Sequence, residues 1–230
     1  MMTRKLLLCF ALGLLLPSLY CSEKSGFERN YKFKWDSQLI HAIRQHQGSD
    51  EYFFPRLAQI YAESGFNPRA TSDFKGWKRG GIDTVTAIRD GMGAAGLVQF
   101  IWATGVRYGA ISIRPAQADA LSYSPDIYNP LWGIDAMCRY MHSIEMILLR
   151  TRNPKARRVL LVNRQVMNMM AIASYNTGEG RVLDRINRYG TDWQAVKARL
   201  PTETQGYVER IMRFADEMRL QARWKESGHK

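Results

Sequence analysis

Apolar positions recur along most of this chain at three- and four-residue steps, the spacing that gathers them on one face of an α-helix. From Trp35, the residues Leu39, Ile40 and Ile43 share such a face, which fades at Gln47 and Gly48 and predicts a first, short helix. Leu57, Ile60 and Tyr61 mark a second, with Pro55 suited to its first turn and Gly65 to the left-handed conformation that stops it. The most regular stretch opens at Asn129 and Pro130 and repeats through Leu131, Ile134, Cys138, Met141, Ile144 and Leu148. Val166, Met167, Met170 and Ala173 predict another helix, closed by Gly178, and a shorter one follows from Glu179 to Arg188, ended by Gly190. Asp192 to Leu200 allows a turn or two before Pro201. Thr202 and Gln205 then form a capping box for a final helix through Tyr207, Ile211 and Phe214.

Between these helices the pattern weakens. Asp73 to Gly93 is rich in Gly, Asp, Lys and Arg and reads as an irregular surface insertion. Gly96 to Thr104 predicts a short apolar helix, and Arg114 to Tyr128 mixes turns with another. No long alternating strand is present and no repeat appears, so the expectation is a single, mainly helical domain. Met137, Met141, Met167 and Met170 stand at helical spacing and are expected in the core, and Arg150 to Arg158 as a solvated basic segment. With 230 residues, 46% of them hydrophobic, the chain can close one sizeable core and does not require two.

The amino terminus follows a different rule. Arg4 and Lys5 precede an apolar run of eleven residues from Leu6 to Leu16, which Pro17 breaks. That is short for a membrane span and typical of a signal-peptide core, although an uncleaved anchor also fits. The expected division is a signal over 1–21, a polar segment over 22–34, one catalytic domain over 35–224 and a polar tail over 225–230. Cys21 stands where a lipoprotein's first residue would, but Tyr20 is bulky where that signal takes a small residue; membrane attachment follows if Cys21 is lipidated. The chain is therefore expected to be exported to the periplasm or cell envelope.

Formal charge is +12, of which Arg4 and Lys5 supply two, so a processed chain carries +10 and favours an anionic partner. Nucleic acid, anionic lipid and the cell wall all qualify, and export weakens the first. Cys138 lies within an apolar helical pattern, so no disulfide framework is implied. No Cys-x-x-Cys pair occurs, and His41, His46, His142 and His229 include no pair at helical ligand spacing, so neither a metal nor another cofactor is expected.

Four motifs carry chemistry. They are Glu-Ser-Gly-Phe-Asn-Pro at Glu63 to Pro68, Gly-Ala-Ala-Gly-Leu-Val-Gln-Phe at Gly93 to Phe100, Ser-Tyr-Asn-Thr-Gly at Ser174 to Gly178, and Leu-Pro-Thr-Glu-Thr-Gln-Gly-Tyr-Val at Leu200 to Val208. In this order, over roughly residues 52 to 215, the chain resembles the soluble lytic transglycosylases. The resemblance implies a lysozyme-like fold and peptidoglycan glycan strands as substrate. It also implies cleavage between N-acetylmuramic acid and N-acetylglucosamine, ending in a 1,6-anhydro sugar.

Glu63 can be judged on its own. Breaking a glycosidic bond needs a proton for the leaving oxygen, and hence a carboxyl that stays protonated near neutral pH. At a helix C-terminus the backbone's partial negative charge disfavours the carboxylate, and Tyr61 and Phe66 reduce its hydration. Most glycosidases use two carboxylates. The resemblance implies that one suffices here: the substrate's acetamido group stabilises the cationic centre, and the same Glu then deprotonates the C6 hydroxyl. It further implies substrate-lining roles for Ser72, Gln99, Tyr175, Asn176 and Glu203. Each has a plainer reading as well: Ser72 as a turn hydroxyl, Gln99 at a helix start packed by Gly96, Tyr175 and Asn176 as a buried ring and a cap, and Glu203 as a first-turn carboxylate.

Three departures from the family pattern matter. Asp73 to Met92 lengthen the connection between Ser72 and the Gly-rich motif, and Asp73, Asp83 or Asp90 could hold a water opposite Glu63, as in goose-type lysozymes. Val98 replaces a methionine and Ser174 an alanine. The alternatives are therefore hydrolysis of the same bond and a wall-binding protein without turnover. A basic nucleic-acid binder is weaker, because it gives no reason for the four motifs. The sequence names no protein partner.

Overall fold

The computed structural model describes residues 37–70, 93–109 and 125–226. The expected signal and polar segments over 1–34, Cys21 among them, lie outside these residues, as do Ser72 and the expected insertion from Asp73 to Met92. The described chain runs α1 (Ser37–His46), α2 (Asp50–Ser64), the short strands β1 (Ala94–Ala95) and β2 (Phe100–Ile101), and α3 (Trp102–Arg107). A 3-10 turn at Pro125–Tyr128 leads to α4 (Pro130–Leu148), α5 (Pro154–Val162), α6 (Arg164–Thr177), α7 (Glu179–Tyr189), α8 (Trp193–Lys197) and α9 (Thr202–Glu226).

α6 is the axis of the packing, touching α2, α4, α5, α7, α8 and α9. A helix enclosed by neighbours must be apolar or small on nearly every side, and Met170, Ala171, Ile172, Ala173 and Ser174 are all buried. α4 supplies the largest apolar stripe, with Ile134, Met137, Met141, Ile144 and Leu148 all fully buried. Each such side chain contributes roughly 1.5–3 kcal/mol. α4 starts where the sequence places it: the Asn129 side chain accepts from the backbone of Leu131 at 3.0 Å and of Trp132 at 3.4 Å, and Pro130 needs no donor.

Three expectations are corrected. α2 begins at Asp50, so Pro55 sits inside it rather than in its first turn. Proline lacks the N–H that would bond the Glu51 carbonyl; the buried side chain of Asn168, on α6, donates to that carbonyl instead at 2.8 Å. α9 begins without the capping box, because the Gln205 amide donates to the Leu200 carbonyl at 2.9 Å and its backbone N–H to that of Pro201 at 3.0 Å. The third concerns Gly96 to Thr104, where an antiparallel pair, Ala94 opposite Ile101 and Ala95 opposite Phe100, replaces the expected helix start. Gly96 at φ 80° and Gln99 at φ 52° take left-handed conformations that no continuous helix accommodates.

α5 was not anticipated as a helix. Asn153 caps it by accepting from the Ala156 N–H at 3.0 Å, ahead of Pro154, the same Asn-Pro start as α4. Its Lys155, Arg157 and Arg158 are exposed, in keeping with the solvated basic segment expected there. Among the described residues, no helix is long and apolar enough to cross a membrane.

Candidate active site

Glu63 lies in the last turn of α2. Gly65, at φ 61°, closes that helix by donating its N–H to the Tyr61 carbonyl at 2.8 Å. Phe66 follows at φ 66°, a conformation uncommon for a residue with a side chain, and its ring packs 5.2 Å from that of Tyr61. Two left-handed residues in succession turn the chain sharply just past Glu63. An Asx turn follows, in which Asn67 Oδ1 accepts from the Arg69 N–H at 2.9 Å.

The carboxyl of Glu63 is densely surrounded by protein, and burial pushes its pKa from 4.5 to about 7. Two weaker influences oppose burial: a hydrogen bond donated by the Tyr207 hydroxyl, and the positive charge of Arg210. Near neutral pH Glu63 is thus divided between acid and carboxylate, as a group that must give and then take a proton requires. Reduced hydration, one of the two effects expected from the sequence, is the largest influence on this carboxyl.

Tyr175, on α6, lies within the electrostatic reach of this carboxyl. Burial and then the Glu63 charge hold its phenol well above the usual range, so it stays a neutral donor. Its hydroxyl donates to the Val98 carbonyl at 2.6 Å, which ties the end of α6 to the Gly-rich loop. That loop is also fastened to the chain following α2. The Gly96 N–H donates to the Ala70 carbonyl at 2.9 Å, and the Gln99 amide donates to the same carbonyl at 3.1 Å and to that of Gly96 at 2.9 Å. Only glycine fits at position 96, because an added Cβ would lie 2.2 Å from the Ile127 carbonyl oxygen.

The sequence-selected residues are therefore only partly assembled around Glu63. Tyr175 belongs to its electrostatic surroundings. Asn176 is exposed at the end of α6 and accepts from the Thr204 hydroxyl at 2.7 Å, joining α6 to the start of α9. Gln99 directs its amide donors to backbone carbonyls of its own loop and of Ala70. Glu203 is exposed in the first turn of α9, one turn before Tyr207. Ser72, Asp73, Asp83 and Asp90 lie outside the described residues.

Sequence reasoning missed Tyr207, the one side chain hydrogen-bonded to the Glu63 carboxyl among the described residues. It counted Tyr207 toward the apolar face of the last helix, although the fourth motif contains it. It also missed Gln59 and Arg56, four and seven residues before Glu63 on the same face of α2. Both are fully buried, although a polar residue on a helix gives no local sign of that.

Among the described residues, no group of three or more His, Cys, Asp or Glu could hold a metal ion. Cys138 is buried on α4, and burial pushes its thiol up to about 11. No curated protein and no solved structure matches the chain. The family description that does match is the transglycosylase SLT domain, over residues 38–196, which takes in α1 to α8 and the first three motifs but stops short of Tyr207. A match of that extent, over a mainly helical and lysozyme-like domain, shows that this chain belongs to the SLT transglycosylase family, whose domains act on peptidoglycan.

Proposed function

We propose that Glu63 is the single acid and base of a lytic transglycosylase that cuts the β-1,4 bond between N-acetylmuramic acid and N-acetylglucosamine. The observation that carries this reading is the Glu63 carboxyl itself, half-buried, held by Tyr207 and balanced near pH 7. Its proton goes to the oxygen that leaves on N-acetylglucosamine as the glycosidic bond breaks. The acetamido oxygen of the muramic residue stabilises the cationic carbon. The carboxylate left behind then takes the proton of the muramic C6 hydroxyl, whose oxygen bonds to C1 and closes the 1,6-anhydro ring. Protons balance and no water is consumed.

The groups acting on Glu63 among the described residues are Tyr207 and Arg210. Ser72, Gln99, Tyr175, Asn176 and Glu203 are assigned to the substrate-binding strip, Gln99 through its remaining amide oxygen. Export through the segment over 1–21, with membrane attachment if Cys21 is lipidated, would bring the domain to its substrate.

Mass spectrometry of muropeptides from digested peptidoglycan tests the reading. Anhydro-muramic ends are expected, and Glu63→Gln should abolish them while the protein remains folded. Reducing muramic ends would replace the proposal with hydrolysis. Sacculi left unchanged would replace it with wall binding.

A further inference from the structure

Arg56 and Gln59 are fully buried polar side chains that the cleavage cycle leaves unexplained. They share one face of α2 with Glu63, so a line of polar groups runs from the carboxyl into the core. Its links are Arg56 to Glu145 Oε1 at 3.1 Å, Arg56 to Gln59 Oε1 at 3.5 Å, Gln59 Nε2 to the Tyr207 hydroxyl at 3.4 Å, and that hydroxyl to Glu63 Oε1. Glu145 supplies the countercharge for Arg56, whose Nε is buried without a partner. Packed apolar side chains could fill the same space at little or no cost in stability.

The direction of this line is fixed at its inner end. A guanidinium carries donors only and is charged at any working pH, so the amide of Gln59 must turn its oxygen toward Arg56. Its NH₂ then faces Tyr207 and donates. Having accepted there, the hydroxyl of Tyr207 has one proton to give, and Oε1 of Glu63 receives it. An oxygen that accepts in this way leaves the acid's own proton to the other carboxyl oxygen.

We propose that Arg56 and Gln59 are positioning residues, Arg56 setting the polarity of the hydrogen-bond line and Gln59 transmitting it, so that Glu63 carries its acid proton on Oε2. The inference rests on the role proposed above for Glu63. Tyr207 and Arg210 on α9 act on this carboxyl, and Tyr175 on α6 feels its charge in turn, among the described residues.

Gln59→Glu tests the polarity, because it exchanges the donating NH₂ for an accepting oxygen at almost constant size. The new carboxylate accepts from Arg56 and from Tyr207, and the Tyr207 hydroxyl turns away from Glu63. Gln59→Met fills the same volume without donating, and serves if the added charge prevents folding. Two readouts apply: the titration of the Glu63 carboxyl by ¹³C NMR, assigned with Glu63→Gln, and the pH dependence of cleavage of soluble glycan strands. In Gln59→Glu the Glu63 midpoint should rise by about one pH unit or more, from the lost hydrogen bond and the added negative charge. At pH 7, kcat should fall about tenfold or more with KM nearly unchanged. Gln59→Met should move both in the same direction by less. An unmoved midpoint in a folded variant overturns the proposal. A midpoint that moves as expected, in a protein that never cleaves glycan, keeps the positioning line and removes the catalytic role of Glu63.

Discussion

The hydroxyl of Tyr207, 144 residues beyond Glu63 in sequence, donates its proton to Oε1 of that carboxyl. Burial raises the Glu63 pKa and this bond lowers it, so the value of about 7 is a balance between them. Tyr207→Phe removes one side of the balance and little volume. A hydrogen bond to a charged group contributes about 1.5–3 kcal/mol, so the Glu63 pKa should rise by about one unit or more. In kcat/KM against pH, the alkaline edge should move upward by that amount and the plateau should fall roughly tenfold. An unchanged edge would mean that another group sets it.

The same balance makes a prediction about stability. Below pH 4.5, the ordinary value for this carboxyl, Glu63 is protonated in both the folded and the unfolded chain and contributes no difference. Between pH 4.5 and about 7 the unfolded chain ionises first, so the native state binds more protons and stability falls as pH rises. Above that window the penalty is complete. Glu63→Gln cannot ionise and still accepts from Tyr207, so it should match the parent protein at pH 4. At pH 8 it should be more stable, by on the order of 1–3 kcal/mol. Thermal or urea unfolding at the two pH values measures this, and equal differences at both would contradict the assigned shift.

Most helices were legible because their signals are local: Asn129 and Pro130 opening α4, Gly178 closing α6, Gly190 closing α7. Glu63 was legible for a related reason, since its motif includes the Gly65 that ends α2. What the sequence concealed depends on partners far along the chain. Pro55 looked like a helix start because Asn168, which relieves it inside α2, is 113 positions away by number alone. Arg56 and Gln59 carry no local signal of burial, because Glu145 and Tyr207, which bond to them, belong to later helices. The Gly-rich loop was misread because an apolar run with glycine fits a helix start as well as a turn, until Ile127 and Ala70 close on Gly96.

Gly96→Ala should be among the most damaging single-atom additions in the described residues. Its φ of 80° is unfavourable for alanine, and the new Cβ would meet the Ile127 carbonyl oxygen at 2.2 Å, a backbone atom that cannot swing aside. The conformational strain alone is about 1–2 kcal/mol, and displacing the Ile127 backbone adds to it. The loop also holds Val98, which accepts from Tyr175, so the shift should reach the surroundings of Glu63. Lower stability together with a loss of glycan cleavage larger than unfolding accounts for is expected. A variant with parental stability would show that the 3-10 turn yields easily.

Pro55 and Asn168 should be energetically coupled, because the first creates the unbonded Glu51 carbonyl that the second satisfies. Asn168→Leu keeps nearly the same volume but leaves that carbonyl buried without a donor, at a cost of about 1–3 kcal/mol. Pro55→Ala restores a backbone N–H at the position from which a helix normally bonds it. In that background Asn168→Leu should therefore cost clearly less, and the difference, read from the four unfolding free energies of a double-mutant cycle, is the interaction itself. Loss of the proline ring's packing enters both backgrounds and cancels. The buried Asn168 Oδ1 has no partner, so its removal is favourable and lowers the apparent cost in both backgrounds equally. Strict additivity would show that the Glu51 carbonyl finds another donor, and that α2 carries its internal proline without help from α6.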